Sequence, residues 1–95
     1  MVYYKIVEHT LQGFEKSNTK NKMYDAILRN SNGRKFRVPF GDATMENFQD
    51  KTRLNLYPQL IHGDEKRRKA FRARASGFVK AGFYSPGYFS LNYLW

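Results

Sequence analysis

Between Met23 and Phe40 the chain reads MYDAILRNSNGRKFRVPF, a stretch that admits few folds. Two alternating runs, residues 23–29 and 35–40, flank Ser31-Asn32-Gly33. Alternation marks strands, and Asn-Gly between two such runs marks a β-hairpin. The side chains also fix a register. A two-residue Asn-Gly loop sets Leu28 opposite Arg37 and Ile27 opposite Val38. A three-residue loop pairs Asn30 with Arg34 and Leu28 with Phe36. The second register gathers Tyr24, Ala26, Leu28, Phe36, Val38 and Phe40 on one face, with Gly33 at the left-handed position of the turn. A slip of one residue sends that row to water, so the three-residue loop is expected. Pro39 has no N–H for a ladder, so its strand is an edge or ends there.

The rest of the chain is organised around this hairpin. Residues 2–8 alternate as a strand, with Val2, Tyr4 and Ile6 facing one way and Tyr3, Lys5 and Val7 the other. Residues 10–21 are polar and read as a connection, pinned by Leu11 and Phe14. Asp42 or Thr44 caps a short helix over residues 45–49. Leu54, Leu56, Tyr57, Leu60 and Ile61 are core candidates. Asp64 is an N-cap for a long helix reaching about residue 78, with Glu65 suiting its positive end. Gly77 and Gly82 mark its end, and Ser85-Pro86 opens a second helix over residues 86–94. That helix is aromatic nearly all round, as in a segment buried on several sides. The expected fold is α+β: a small antiparallel sheet, made of the hairpin at 23–40 and an N-terminal strand, packed by one long basic helix and a short aromatic C-terminal helix. Residues 1–95 form one domain, with no internal repeat or low-complexity tract.

Size and composition exclude several classes. A chain of 95 residues has a thin core, offset by an aromatic content of 17%. There is no cysteine, hence no disulfide and no thiolate zinc site. No run is long enough for a membrane span, and the N-terminus lacks the layout of a signal peptide. The chain reads as intracellular and not secreted. His62-x-Asp64 lacks a third metal ligand, and no phosphate loop, nucleophile elbow or separated acidic cluster is present. Neither an enzyme activity nor a cofactor nor a metal is expected.

Charge is the strongest functional signal. Lys and Arg number 17 against 8 Asp and Glu, a net charge of +9. A surplus of this size favours a polyanion, chiefly nucleic acid, or else a protein with an acidic surface. On the long helix, Arg67, Phe71, Arg74 and Phe78 fall on one stripe, which is expected to face the core and to pair with carboxylates such as Asp50, Asp64 or Asp42. Arg68, Lys69 and Arg72 then point outward and become candidate phosphate contacts. Arg29, Lys35 and Arg37 on the polar side of the hairpin join them. Tyr3, Tyr84 and Tyr88 are candidate platforms for unstacked bases, if they are not core.

From Tyr24 onward the chain resembles a domain-of-unknown-function family of small basic proteins of large DNA viruses and phages. The resemblance rests on Tyr24-Asp25-Ala26-x-Leu28, the Asn-Gly turn, Phe40-Gly41 and Phe48-x-Asp50-Lys51-Thr52. It continues through His62-x-Asp64 with Arg67, Arg68, Phe71 and Arg74, then Ser85-Pro86-Gly87-Tyr88-Phe89-Ser90 and Leu94-Trp95. Ala75 departs from the pattern, where a second histidine stands, and the segment from Asp50 to His62 is longer. The resemblance implies a viral origin and a role in the virion or with the genome, in a host-cell cytoplasm or nucleoid. Three functions are therefore expected in order: nonspecific nucleic-acid binding, a minor capsid or cement role, and inhibition of a host defence or nucleic-acid-handling complex. The resemblance also points to one structural polar cluster of Asp50, His62, Asp64, Arg67 and Arg74.

Overall fold

The computed structural model describes residues 4–75, 77, 79 and 81–95. It is α+β, with two antiparallel sheets and two helical segments. Strand β1 (Tyr4–Lys5) gives way to a 3₁₀ turn, Ile6–Glu8, and then to β2 (His9–Lys16). The hairpin follows as β3 (Lys22–Asn30) and β4 (Lys35–Asp42). Helix α1 spans Glu65–Ala75, β5 spans Phe83–Tyr84, and α2 spans Pro86–Phe89 before widening into a π-helical stretch, Ser90–Leu94.

The hairpin has the expected register. Leu28 lies opposite Phe36 and Tyr24 opposite Phe40. The Asn30 N–H donates to the Arg34 carbonyl at 3.0 Å, and Gly33 adopts φ +81°. That conformation is what the bulged turn requires of a residue without Cβ.

The third strand of this sheet differs from expectation. It is β2, not residues 2–8, and the supposed polar connection supplies most of it. Leu11 and Phe14 are three apart, out of step for a strand of period two. A β-bulge between Leu11 and Gly13 restores the phase, so that Leu11 faces Leu28 and Phe14 faces Ala26. The N-terminal strand is short and pairs instead with β5, Tyr4 against Tyr84. Val2 and Tyr3 lie outside the described residues.

The core lies between the apolar face of the hairpin and α2. Tyr24, Phe40, Phe89 and Leu94 are fully buried. Phe89 stacks on Tyr84 with centroids 5.3 Å apart and meets Phe40 at 5.4 Å. The Ser85 hydroxyl accepts the Tyr88 N–H and Pro86 occupies the first turn of α2, as its sequence requires.

The long loop between β4 and α1 carries no helix at residues 45–49. The Asp42 carboxylate does cap, but it takes up the N–H and hydroxyl of Thr44 and closes a turn. The loop then wraps the end of the C-terminal helix. The N–H groups of Phe48 and Gln49 both donate to the Leu94 carbonyl, and that of Lys51 donates to the Tyr93 carbonyl. These would otherwise be orphan acceptors at a helix end. The loop is itself tied to the sheet. The Tyr24 hydroxyl donates to Asp50 Oδ2 at 2.5 Å and accepts the Leu56 N–H at 3.2 Å. Of the proposed core residues in this loop, Leu56 is exposed and Leu54, Tyr57, Leu60 and Ile61 are half-buried, apart from a single 3₁₀ turn at Pro58–Leu60.

Candidate nucleic-acid interface

Helix α1 begins as its sequence dictates. Asp64 Oδ1 accepts the N–H groups of Lys66 and Arg67 at 2.9 and 3.3 Å. Its rotation, however, is not the expected one. The residues that face the protein are Arg68, Phe71, Arg72 and Ala75, spaced i, i+3, i+4 and i+7. Phe71 stacks flat on Trp95, with centroids 4.2 Å apart and planes 8° apart. Ala75 is buried.

The two inward arginines act as caps. Arg68 Nε donates to the Trp95 carbonyl at 2.8 Å, and its guanidinium lies 4.8 Å from the centre of the Phe48 ring. Arg72 donates to the Leu91 carbonyl at 3.1 Å. An arginine fork suits this task, because it stays charged and offers several donors in one plane. Arg68 was expected to point outward, and this is corrected: its side chain retains only 32% exposure. Arg72 remains exposed but has one arm on Leu91.

Arg67 and Arg74, expected near the core, are both exposed. Arg67 meets Glu46 at 2.9 Å, and this pair holds the Glu46 carboxyl below its usual range. The expected polar cluster is therefore not one cluster. Asp50 is held by Tyr24 and by the hydroxyl and N–H of Thr52. His62 Nδ1 accepts the Asp64 N–H at 2.9 Å, which puts the ring proton on Nε2. Among the described residues that buried Nε2 finds no partner. The His-x-Asp pair is thus a local helix-entry device, with His62 lying 5.2 Å from the Trp95 ring.

On the basic side of the hairpin, Lys35 and Arg37 are paired with acids, while Arg29, among the described residues, is held by a carbonyl alone. Arg37 reaches Glu15 at 2.9 Å and Asp25 at 3.6 Å, and Lys35 approaches Glu15 at 3.9 Å. Arg37 holds the Glu15 carboxyl below its ordinary range, chiefly through their hydrogen bond. Arg29 donates to the Gly33 carbonyl across the turn. Tyr84 is buried and stacked on Phe89, and Tyr88 packs edge-on against both, so neither is a free stacking platform. Tyr3 and Phe78 lie outside the described residues.

Two features define the site. The first is the outer face of α1, where Lys69 is exposed as expected and Lys66 with it, while Arg74, expected near the core, stands at one flank. Among the described residues none of the three is in an ion pair, while Arg67 and Arg68 are. The second is a groove of about 600 Å³ between α1, α2 and the start of the long loop. The stripe Arg67, Ala70, Phe71 and Arg74 forms one wall, and Pro86, Ser90, Trp95 and Met45 contribute to the others. The stripe could be read from the sequence; that it borders an opening, and not the core, could not.

Among the described residues no group of three His, Cys, Asp or Glu is placed to hold a metal ion, and no helix is long and apolar enough to cross a membrane. No family model, curated protein or solved structure matches the chain.

Proposed function

We propose that this protein binds nucleic acid without sequence preference, gripping phosphates with the outer face of α1. The observation that carries the reading is the contrast within that helix. Arg68 and Arg72 serve backbone carbonyls, whereas Lys66, Lys69 and Arg74 are exposed and, among the described residues, in no ion pair. Unneutralised cations on one rigid helix are what a phosphate backbone needs, and they release counterions when it binds. The net charge of +9 supports the same reading, as does the resemblance to basic proteins of DNA viruses, where a genome-associated role follows naturally.

The test is titration of a labelled oligonucleotide at several salt concentrations. Affinity should fall linearly in log–log form, with a slope of about −0.7 to −0.9 for each phosphate contacted. Three contacts give a slope near −2 to −3. Absence of binding at low salt would remove the reading.

A further inference from the structure

We infer that the groove beside α1 takes one unstacked base of a single strand, an inference that rests on the reading of α1 as a phosphate-binding helix. The groove opens on the same helix as the free cations. Its volume of about 600 Å³ falls within the range of about 300–1,000 Å³ seen for small-ligand sites. Its exposed walls are mainly apolar; Trp95 is buried and stacked on Phe71, which leaves the half-buried Phe71 as the ring a base would meet, with Met45 and Pro86 nearby. Met45 is 63% exposed and gives this wall a flexible apolar side chain.

Charge decides which occupant fits. Two acids line the groove, and each has a basic neighbour there. Glu46 is paired with Arg67, and Asp42 feels Lys22. Arg74 is the cation left over, on the same rim as Ala70 and next to the outer face that carries Lys66 and Lys69. A flat apolar body with an anion at its edge matches this arrangement, and a nucleotide has that form. A neutral apolar peptide would fill the walls equally well, but it would leave Arg74 and the positive charge that continues along α1 unmatched. The neutral polar side chains of the walls are Asn47, Ser85 and Ser90. The buried Asn47 amide already donates to the Met45 carbonyl and the Met23 sulfur, and the Ser85 hydroxyl caps α2. Recognition by rings and a phosphate contact, with few hydrogen bonds to the base, implies little preference among bases.

The test compares an oligothymidylate with an abasic backbone of equal length and charge at one low salt concentration. Trp95 is the only tryptophan of the chain and lines the groove, so its emission reports occupancy. The base-bearing strand should bind about tenfold more tightly and quench Trp95, as stacking of one base implies. Ala70→Leu, which narrows the groove without changing charge and with little change in helix propensity, should weaken the quench and reduce the difference while keeping the salt slope. Equal affinity for the two strands with unchanged Trp95 emission overturns base occupancy, and leaves the groove to an apolar segment of a protein. Failure to bind either strand overturns the phosphate reading, and this inference with it.

Discussion

The sheet and helix α1 carry comparable numbers of cations but dispose of them differently. On the sheet, Arg37 and Lys35 converge on Glu15, and Arg37 also approaches Asp25. β2 and β4 flank β3, so the long side chains of Arg37 and Lys35 reach across β3 to Glu15, and Arg37 lies diagonal to Asp25 on the same face. On α1 the one acid, Glu65, reaches only three or four residues along, and there it approaches Arg68 at 3.7 Å. Among the described residues Lys66, Lys69 and Arg74 form no ion pair, although Lys69 stands four residues from Glu65. Net charge therefore says little about charge available to a partner. What matters is whether the local geometry brings an acid within reach.

The two regions are also held with different strength, and truncating an aromatic in each tests this. Phe40 is fully buried within the aromatic cluster of the sheet. Phe40→Ala should cost about 3–5 kcal/mol and lower the denaturation midpoint of the whole molecule. Phe71 is half-buried and holds α1 chiefly through Trp95. Phe71→Ala should cost about 1–2 kcal/mol, with amide protection lost in α1 before the sheet. Hydrogen exchange of both variants makes the check. A loss of protection spread evenly over sheet and helix in the Phe71 variant would abolish the distinction.

The same contrast explains what could be read from the sequence. The hairpin register was legible because only one pairing buries the row from Tyr24 to Phe40, and local turn chemistry agrees with it. Both helix starts were legible because Asp64 and Ser85 cap through hydrogen bonds within three residues. Strand β2 was hidden because its bulge breaks the alternation between Leu11 and Phe14. The phase of α1 was hidden for a different reason. Arg67, Phe71 and Arg74 form as good a stripe as Arg68, Phe71 and Arg72. The choice between them depends on the Trp95 ring and on the Leu91 and Trp95 carbonyls, some 20 residues away in sequence. Local periodicity contains no record of those acceptors. The candidate site moved with the helix, from Arg68 to Lys66 and Arg74, while Lys69 kept its outward position.

The link between sheet and long loop should have an effect of intermediate size, readable through pH. Tyr24 joins β3 to Asp50 and to the Leu56 N–H. Tyr24→Phe leaves both groups without that partner and should cost about 1–3 kcal/mol. Burial first, and then the Asp50 carboxylate, push the Tyr24 phenol up to about 12. A phenol raised in the folded state stabilises while protonated. Its contribution is complete below pH 10 and is lost as pH climbs through 12. The gap between wild type and Tyr24→Phe, from denaturant midpoints, should therefore be constant from pH 7 to 9 and narrow above pH 10. Comparing the two proteins cancels Tyr84 and Tyr93, which burial also raises. A gap independent of pH would mean that the phenol ionises without disturbing the loop.

The smallest effect bears most directly on function. Lys35→Gln and Lys69→Gln each remove one exposed lysine charge, one beside Glu15 and one that, among the described residues, forms no ion pair. Neither should shift stability by more than about 0.5 kcal/mol, as expected of surface substitutions. Binding should separate them. Lys69→Gln should flatten the salt slope by about 0.7–0.9, the share of one phosphate contact, whereas Lys35→Gln should leave it unchanged. Near 0.1 M salt the screening length is about 10 Å, so a lysine distant from the bound strand contributes little through net charge alone. An equal flattening in both variants would mean that the sheet also touches phosphate, that Glu15 yields Lys35 when a strand arrives, and that the binding surface runs across both regions. Flattening in the Lys69 variant alone confines the contact to α1 and its groove, where Lys66, Lys69 and Arg74 share one rigid helix and, among the described residues, form no ion pair.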